Sequence, residues 1–340
     1  MTTSLFADYQ TISPFDCRSR MMLFSGRANP ALAGAIAGHL GIELSPVTLK
    51  TFSNGEVYCR FEESIRGADL FLVQPTCGNP ETGINANDAL VELLVMIDAA
   101  VGASANRVIA VMPWYGYSRQ DKKSAPREPI SARMVARILE SAGASRVLTM
   151  DLHAGQLQGM FQVPVDHMTA MMLLSQYFID LSLGGELVVV APDAGSVKLN
   201  KKFARRLGAD LAILNKERPQ QQVAEIGHVI GDVAGKTAII VDDMIDTAGT
   251  LRVGAEALAK AGATRIFAAT THGVFSGMAF ENLVAAPIDQ IVVTDTIPLG
   301  PGAPDKIRVV STASLLADSI TRIFTNGSVS ELFGGLNQVF

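Results

Sequence analysis

Seven short runs of apolar, largely β-branched residues recur along the chain, at 70–73, 108–112, 147–150, 187–190, 238–241, 266–269 and 291–293. Alanine-rich stretches alternate with them. A strand that is apolar throughout must be covered on both faces, and helices alternating with strands provide that cover. The pattern therefore predicts parallel sheets flanked by helices. In such sheets ligands bind beyond the carboxyl ends of the strands, so polar residues just after each run are the first candidates for function.

At 340 residues the chain exceeds one ordinary core of about 150. A weak repeat points to two similar halves. The segment GASRVLTMDLH from Gly143 resembles GATRIFAATTH from Gly262, and the paired glycines, like His153 and His272, are 119 residues apart. Each glycine stands where a helical stretch ends and is placed for a left-handed cap before the next strand. With 48% hydrophobic and 18% charged residues, the chain is excluded from the disordered and low-complexity classes.

The net charge of -5 excludes a general electrostatic grip on nucleic acid or an anionic membrane, so anionic ligands must meet local basic clusters. The longest apolar stretch, 89–101, is broken by Glu92 and Asp98 and is too short to span a bilayer. Residues 1–20 carry Asp8 and Asp16 before Arg18 and Arg20, the reverse of a signal peptide, and read as an untargeted extension. Cys17, Cys59 and Cys77 lack paired spacing, so neither a disulfide framework nor a zinc knuckle is expected, and a cytoplasmic setting fits.

The sharpest motif is VDDMIDTAGT at 241–250, between the apolar run ending at Val241 and a helical stretch over 251–261. Small residues at a helix start let backbone N–H groups converge, and the helix dipole adds positive potential, which together cradle a phosphate. Asp242 and Asp243 would stand beside that cradle as acceptors for sugar hydroxyls or as outer metal ligands. The competing reading is an Asp-rich turn with an ordinary threonine cap. GDVAGKT at 231–237 imitates a Walker A loop, but its apolar run follows the lysine instead of preceding the loop, so a P-loop is rejected.

Three further clusters follow strand-like runs. WYGYSRQDKK at 114–123 offers rings and cations suited to a nucleotide, or a solvated basic loop. His153 and Asp193 each lie just past a run, where Mg²⁺ held jointly with substrate phosphates would sit; a lone histidine there serves structure as readily. In NKERP at 215–219, Lys216 and Arg218 could neutralise charge in a phosphoryl transition state, or form a surface charge run.

Together these motifs resemble the ribose-phosphate pyrophosphokinases, also called phosphoribosyl pyrophosphate synthetases. The likeness runs from Met22 to about Phe333 through LFSGRANPALA, TFSNGEVYCRFEESIRG, YGYSRQDKK, REPISA, DLHAGQLQGMF, APDAG, KERP, VDDMIDTAGT and THGVFSG, in the family's order. It implies two tandem phosphoribosyltransferase-like α/β domains, each a mainly parallel sheet flanked by helices. The expected division is an extension over 1–20, an N-terminal domain over 21–166 completed by 312–340, and a C-terminal domain over 167–311. The implied reaction passes the diphosphoryl group of MgATP to the 1-hydroxyl of ribose 5-phosphate, with Mg²⁺ as cofactor and ATP as co-substrate.

The resemblance also assigns roles. Lys216 and Arg218 would be catalytic, on a mobile loop. Arg119, Gln120 and Lys122 would bind ATP, with Phe52, Asn54 and Glu56 reaching it from a neighbouring subunit. Asp242 and Asp243 would hold the ribose while Asp246, Thr247, Ala248, Gly249 and Thr250 wrap its phosphate. His153 and Asp193 would be the metal ligands. Homodimers within a homohexamer are implied. The chain departs from the family at Ser196, where a second glycine is usual, at Leu199, where an arginine is usual, and at Asn215. A phosphoribosyltransferase and a non-catalytic regulatory subunit are the competing functions.

Overall fold

The computed structural model describes residues 20–220 and 223–333, excepting the side chains of 216–227 and 333. Residues 1–19 of the expected extension lie outside these. The first half runs β1 (Met21–Ser25), α1 (Pro30–Leu40), β2 (Val47–Thr51), β3 (Val57–Phe61), β4 (Asp69–Val73), α2 (Ala86–Gly102), β5 (Arg107–Met112), α3 (Ser131–Ala142), β6 (Arg146–Met150) and β7 (Val165–Met168). The second runs α4 (Met171–Leu181), β8 (Leu187–Ala191), α5 (Val197–Leu207), β9 (Asp210–Gln220), β10 (Val223–Ile230), β11 (Thr237–Ile245), α6 (Gly249–Lys260), β12 (Arg265–Gly273), α7 (Ala279–Ala285), β13 (Gln290–Thr294), β14 (Ile307–Val310) and α8 (Ala313–Phe324).

Strands β1-β4-β5-β6-β7 form a parallel sheet, and β10-β9-β8-β11-β12-β13-β14 form a second, parallel except where β10 turns back on β9. All seven apolar runs are strands. Gly143 and Gly262 both adopt positive φ, 109° and 92°, at the ends of α3 and α6, so the repeat reflects a shared helix–cap–strand unit. β2 and β3 stand apart as an antiparallel hairpin.

The period-2 alternation of the strands sorts the cores. Met22, Leu70, Leu72 and Val108 face outward onto α2 and α3, and Val188, Val190, Ala238 and Ile240 face outward onto α6 and α7. The opposite faces, with Phe71, Ile109 and Leu148 from one sheet and Val189, Ile239 and Phe267 from the other, belong to one cluster with residues of α1, α4, α5 and α8. The architecture is thus five layers, with one helical layer shared by both sheets. Arg107, at the start of β5, donates to the carbonyls of Ile323 and Phe324 at the end of α8 (both 3.4 Å), so the last helix lies against the first sheet.

Candidate active site

Strand β11 pairs with β8 only as far as Ile240 but with β12 as far as Ile245, so the ends of β11 and β12 project past the sheet toward the first half. The projecting residues include Asp242 and Asp243, and the turn after them carries Asp246 to Ala248. They line a cavity of about 370 Å³, joined by Arg119 and His153 from the first half and Asp193 from the second. Residues from both halves therefore meet at strand ends, where the sheet topology places ligands.

Helix α6 begins at Gly249 without a side-chain cap, and the residue before it, Ala248, sits in the left-handed region at φ 59°. That turn points the first-turn amides at the cavity, and no capping oxygen occupies them, which leaves a place for an anion. The Asp246 carboxylate is turned aside: Arg119 pairs with it and the Ser276 hydroxyl donates to it. A carboxylate cannot donate to a phosphate dianion, so Asp246 shapes the loop while the amides and the Thr247 and Thr250 hydroxyls are left to meet the ligand.

Asp242 and Asp243 are adjacent but differ electrostatically. Asp242 is raised well above the usual carboxylate range, first by burial and then by the Asp243 charge. Burial pushes Asp243 the same way, but the hydrogen bond and charge of His153 outweigh it and hold Asp243 low. His153 Nδ1 lies 2.7 Å from Asp243 Oδ2, and this bond raises the imidazole against the opposing effect of burial. Leu199 lines a small pocket together with Asp242 and Asp243. Asp193 accepts from Ser196 N–H at 3.1 Å, and the Ser196 hydroxyl donates to the Asp193 carbonyl at 3.0 Å, so serine closes this turn on its own terms.

Among the described residues, no group of three or more His, Cys, Asp or Glu could hold a metal ion by itself. The carboxylate oxygens around the cavity suit Mg²⁺, which keeps water and phosphate oxygens in most of its shell and takes few protein ligands.

Other expected site residues stand elsewhere. Phe52, Asn54 and Glu56 form the exposed β2–β3 turn, closed by Phe52 N–H to Glu56 O at 2.8 Å, and do not line the cavity. Gln120 accepts from the Ser131 hydroxyl at the start of α3, and Lys122 is exposed on the same loop. Lys216 and Arg218 lie on β9, paired in an antiparallel hairpin with β10 where a loop was expected; their side chains lie outside the described ones. β9 reaches through them because it has a partner, β10, whose ladder extends to Gln220 with two register shifts, Lys216 pairing with Ile226.

The residues that reading the sequence left unassigned form the seam behind the cavity. Thr271 donates to Asp151 Oδ2 at 2.6 Å, joining the halves, and His272 beside it is fully buried. The signal for them was the THGVFSG motif and the repeat that aligns His272 with His153.

Two parallel sheets on a common helical layer, with an acidic strand end running into an open helix N-terminus at their junction, make this a two-domain α/β protein of phosphoribosyltransferase-like architecture. Residues 21–143 match the family model for the N-terminal domain of ribose phosphate pyrophosphokinase, and 226–334 match that for the phosphoribosyl synthetase-associated domain. The chain is 51% identical over 314 residues to the ribose-phosphate pyrophosphokinase of Caldanaerobacter subterraneus subsp. tengcongensis, covering 92% of this chain and 98% of that one. It is 47% identical over 319 residues to that of Bacillus caldolyticus, covering 94% and 99%. The crystal structure of phosphoribosylpyrophosphate synthetase from Mycobacterium smegmatis superposes with a TM-score of 0.84 at 42% identity, over 91% of this chain and all of the other. The chain belongs to the ribose-phosphate pyrophosphokinase family, and it is an enzyme of that family.

Proposed function

We propose that the protein transfers the β,γ-diphosphoryl group of ATP to the 1-hydroxyl of ribose 5-phosphate, giving 5-phosphoribosyl 1-pyrophosphate and AMP. The observation that carries this reading is the single cavity in which the anion cradle of 246–250 faces Arg119 and His153 from the other half. A sugar phosphate held at the cradle directs its ring toward Asp242 and Asp243, which accept its hydroxyl hydrogens and orient the 1-hydroxyl. Arg119, Gln120 and Lys122 receive the nucleotide. Lys216 and Arg218 neutralise charge on the phosphorus under attack and on departing AMP. Bond formation is from the sugar oxygen to the β-phosphorus, with the α,β-bridging oxygen leaving on AMP. Positioning and charge neutralisation carry such a transfer, and no side chain need act as a strong base.

His153 and Asp193 would hold magnesium, which when bound neutralises phosphate charge. The Phe52–Glu56 turn is assigned to a neighbour's nucleotide site, so the protein works as a homodimer within a homohexamer, in the cytoplasm. The test is purified protein with Mg²⁺, ATP labelled at the β-phosphate, ribose 5-phosphate and added inorganic phosphate. AMP and label in phosphoribosyl pyrophosphate are expected; no AMP above background refutes the reading. Activity assayed across gel-filtration peaks checks the assembly, since a fully active monomer would remove the turn from the site.

A further inference from the structure

The THGVFSG motif carries none of the roles above, yet its segment meets three of the segments that build the cavity: the Asp151 turn, the loop that starts at Trp114 and the phosphate loop. From β12, His272 Nε2 lies 3.1 Å from the Met150 carbonyl and 3.2 Å from the Asp151 carbonyl. Facing two acceptors, Nε2 must carry the ring proton, and Nδ1 accepts from the Thr296 hydroxyl at 2.9 Å. The ring packs against Trp114 with centroids 4.6 Å apart, at the root of the loop that leads to Arg119. Next to it, Thr271 grips the Asp151 side chain at 2.6 Å, and Asp151 also accepts from Ala170 N–H at 2.8 Å. Further on, Val274 N–H donates to Ile245 O at 2.9 Å and Ser276 N–H to Asp246 O at 3.2 Å, which braces the phosphate loop.

Asp151 explains why such a clamp is needed. It holds φ at 34°, in the left-handed region unfavourable to a residue with a Cβ, and the chain turns there from β6 toward His153 two residues later. A strained turn persists only when its surroundings over-determine it, and here both the side chain and the carbonyl of Asp151 are held from the opposite half.

We propose that His272 is a positioning residue for the diphosphoryl transfer: its Nε2–H fixes the Asp151 turn and thereby the place of His153 in the cavity. Burial lowers the affinity of the ring for a second proton, consistent with a neutral donor on one side and acceptor on the other. This inference rests on the function proposed above.

The test compares the full-length wild type with His272→Gln, whose amide reaches the Nε2 position, and with His272→Asn and His272→Phe, which do not reach it. Activity is measured well below each variant's melting temperature. We expect kcat in the Asn and Phe variants to fall about 10²-fold, as for a displacement of about 1 Å at a reacting centre. KM for ribose 5-phosphate should stay within about threefold, because its cradle is braced by the Val274 and Ser276 backbone N–H groups and not by the His272 side chain, and Gln should restore at least a tenth of wild-type kcat. Emission of Trp114, the one tryptophan, gives a readout free of turnover: a non-hydrolysable ATP analogue with Mg²⁺ should bind about tenfold more weakly to His272→Phe than to wild type. Wild-type kcat in a folded His272→Phe, or equal losses in the Gln and Asn variants, overturns the proposal. An inactive wild type instead refutes the proposed function.

Discussion

Replacing Thr271 by valine removes one hydroxyl and almost no volume, and that hydroxyl is a direct bond between the two halves. It donates to Asp151 Oδ2 at 2.6 Å with both residues buried, at 3% and 8% exposure. A hydrogen bond to a carboxylate is worth about 1.5–3 kcal/mol, and the acceptor left behind keeps only the Ala170 N–H for that oxygen among its described bonds, so a loss of about 2 kcal/mol is expected. That is about a 30-fold shift in the unfolding equilibrium. Urea unfolding followed by far-ultraviolet circular dichroism and by Trp114 emission measures it. Because the halves share a core, the two signals should move together in wild type and variant. A change below about 0.5 kcal/mol would show that the seam bond contributes no net stability. Separate transitions would show that the common core does not couple the halves.

Three other outcomes are expected. Lys216→Ala should lower kcat by about 10²-fold with little change in KM, and an unchanged kcat removes Lys216 from the transition state. Free ribose should react at least about 10³-fold less efficiently than ribose 5-phosphate, since it leaves two or three charge-assisted bonds of the cradle unmade; comparable kcat/KM values would place the phosphate elsewhere. His167 gives a pH dependence of stability. Burial lowers it to about 4 against the pull of Asp151, and its Nε2 accepts from Leu152 N–H at 2.8 Å, which protonation would break. The unfolded chain takes up this proton near pH 6.5 and the folded chain only near 4. The stability is therefore complete above 6.5 and declines by about 3 kcal/mol as pH falls to 4. Urea midpoints between pH 7 and 4.5 should show this slope in wild type and a shallower one in His167→Gln; equal slopes refute it.

Much of this was legible because parallel strands buried on both faces leave unbroken apolar runs, and VDDMIDTAGT announces a strand, a turn and a helix start in ten residues. β1 and the β2–β3 hairpin left weaker traces: β1 is five residues beside the N-terminal extension, and the hairpin buries only one face, against the core that includes α2, and leaves the other side chains partly exposed. The repeat misled in one respect. It aligned His153 with His272, yet β6 ends at Met150, where the chain turns at Asp151, while β12 runs on to Gly273. Equivalent positions thus diverge, one histidine reaching the cavity and the other the buried seam. Nor could local pattern show that α1, α4, α5 and α8 serve both sheets, because sharing is a property of which faces meet.

That sharing limits how the enzyme can breathe. Proteins that clamp substrates by swinging two lobes need a thin, wet boundary between them, and here the boundary is a packed hydrocarbon interior. Pulling the lobes apart would breach the core, so the floor of the site must stay nearly still through turnover. Admission of two large anions, exclusion of water and release of products then fall to edge elements. On the function proposed above, the foremost is the β9–β10 arm, at the open margin of its sheet, whose backbone bears Lys216 and Arg218.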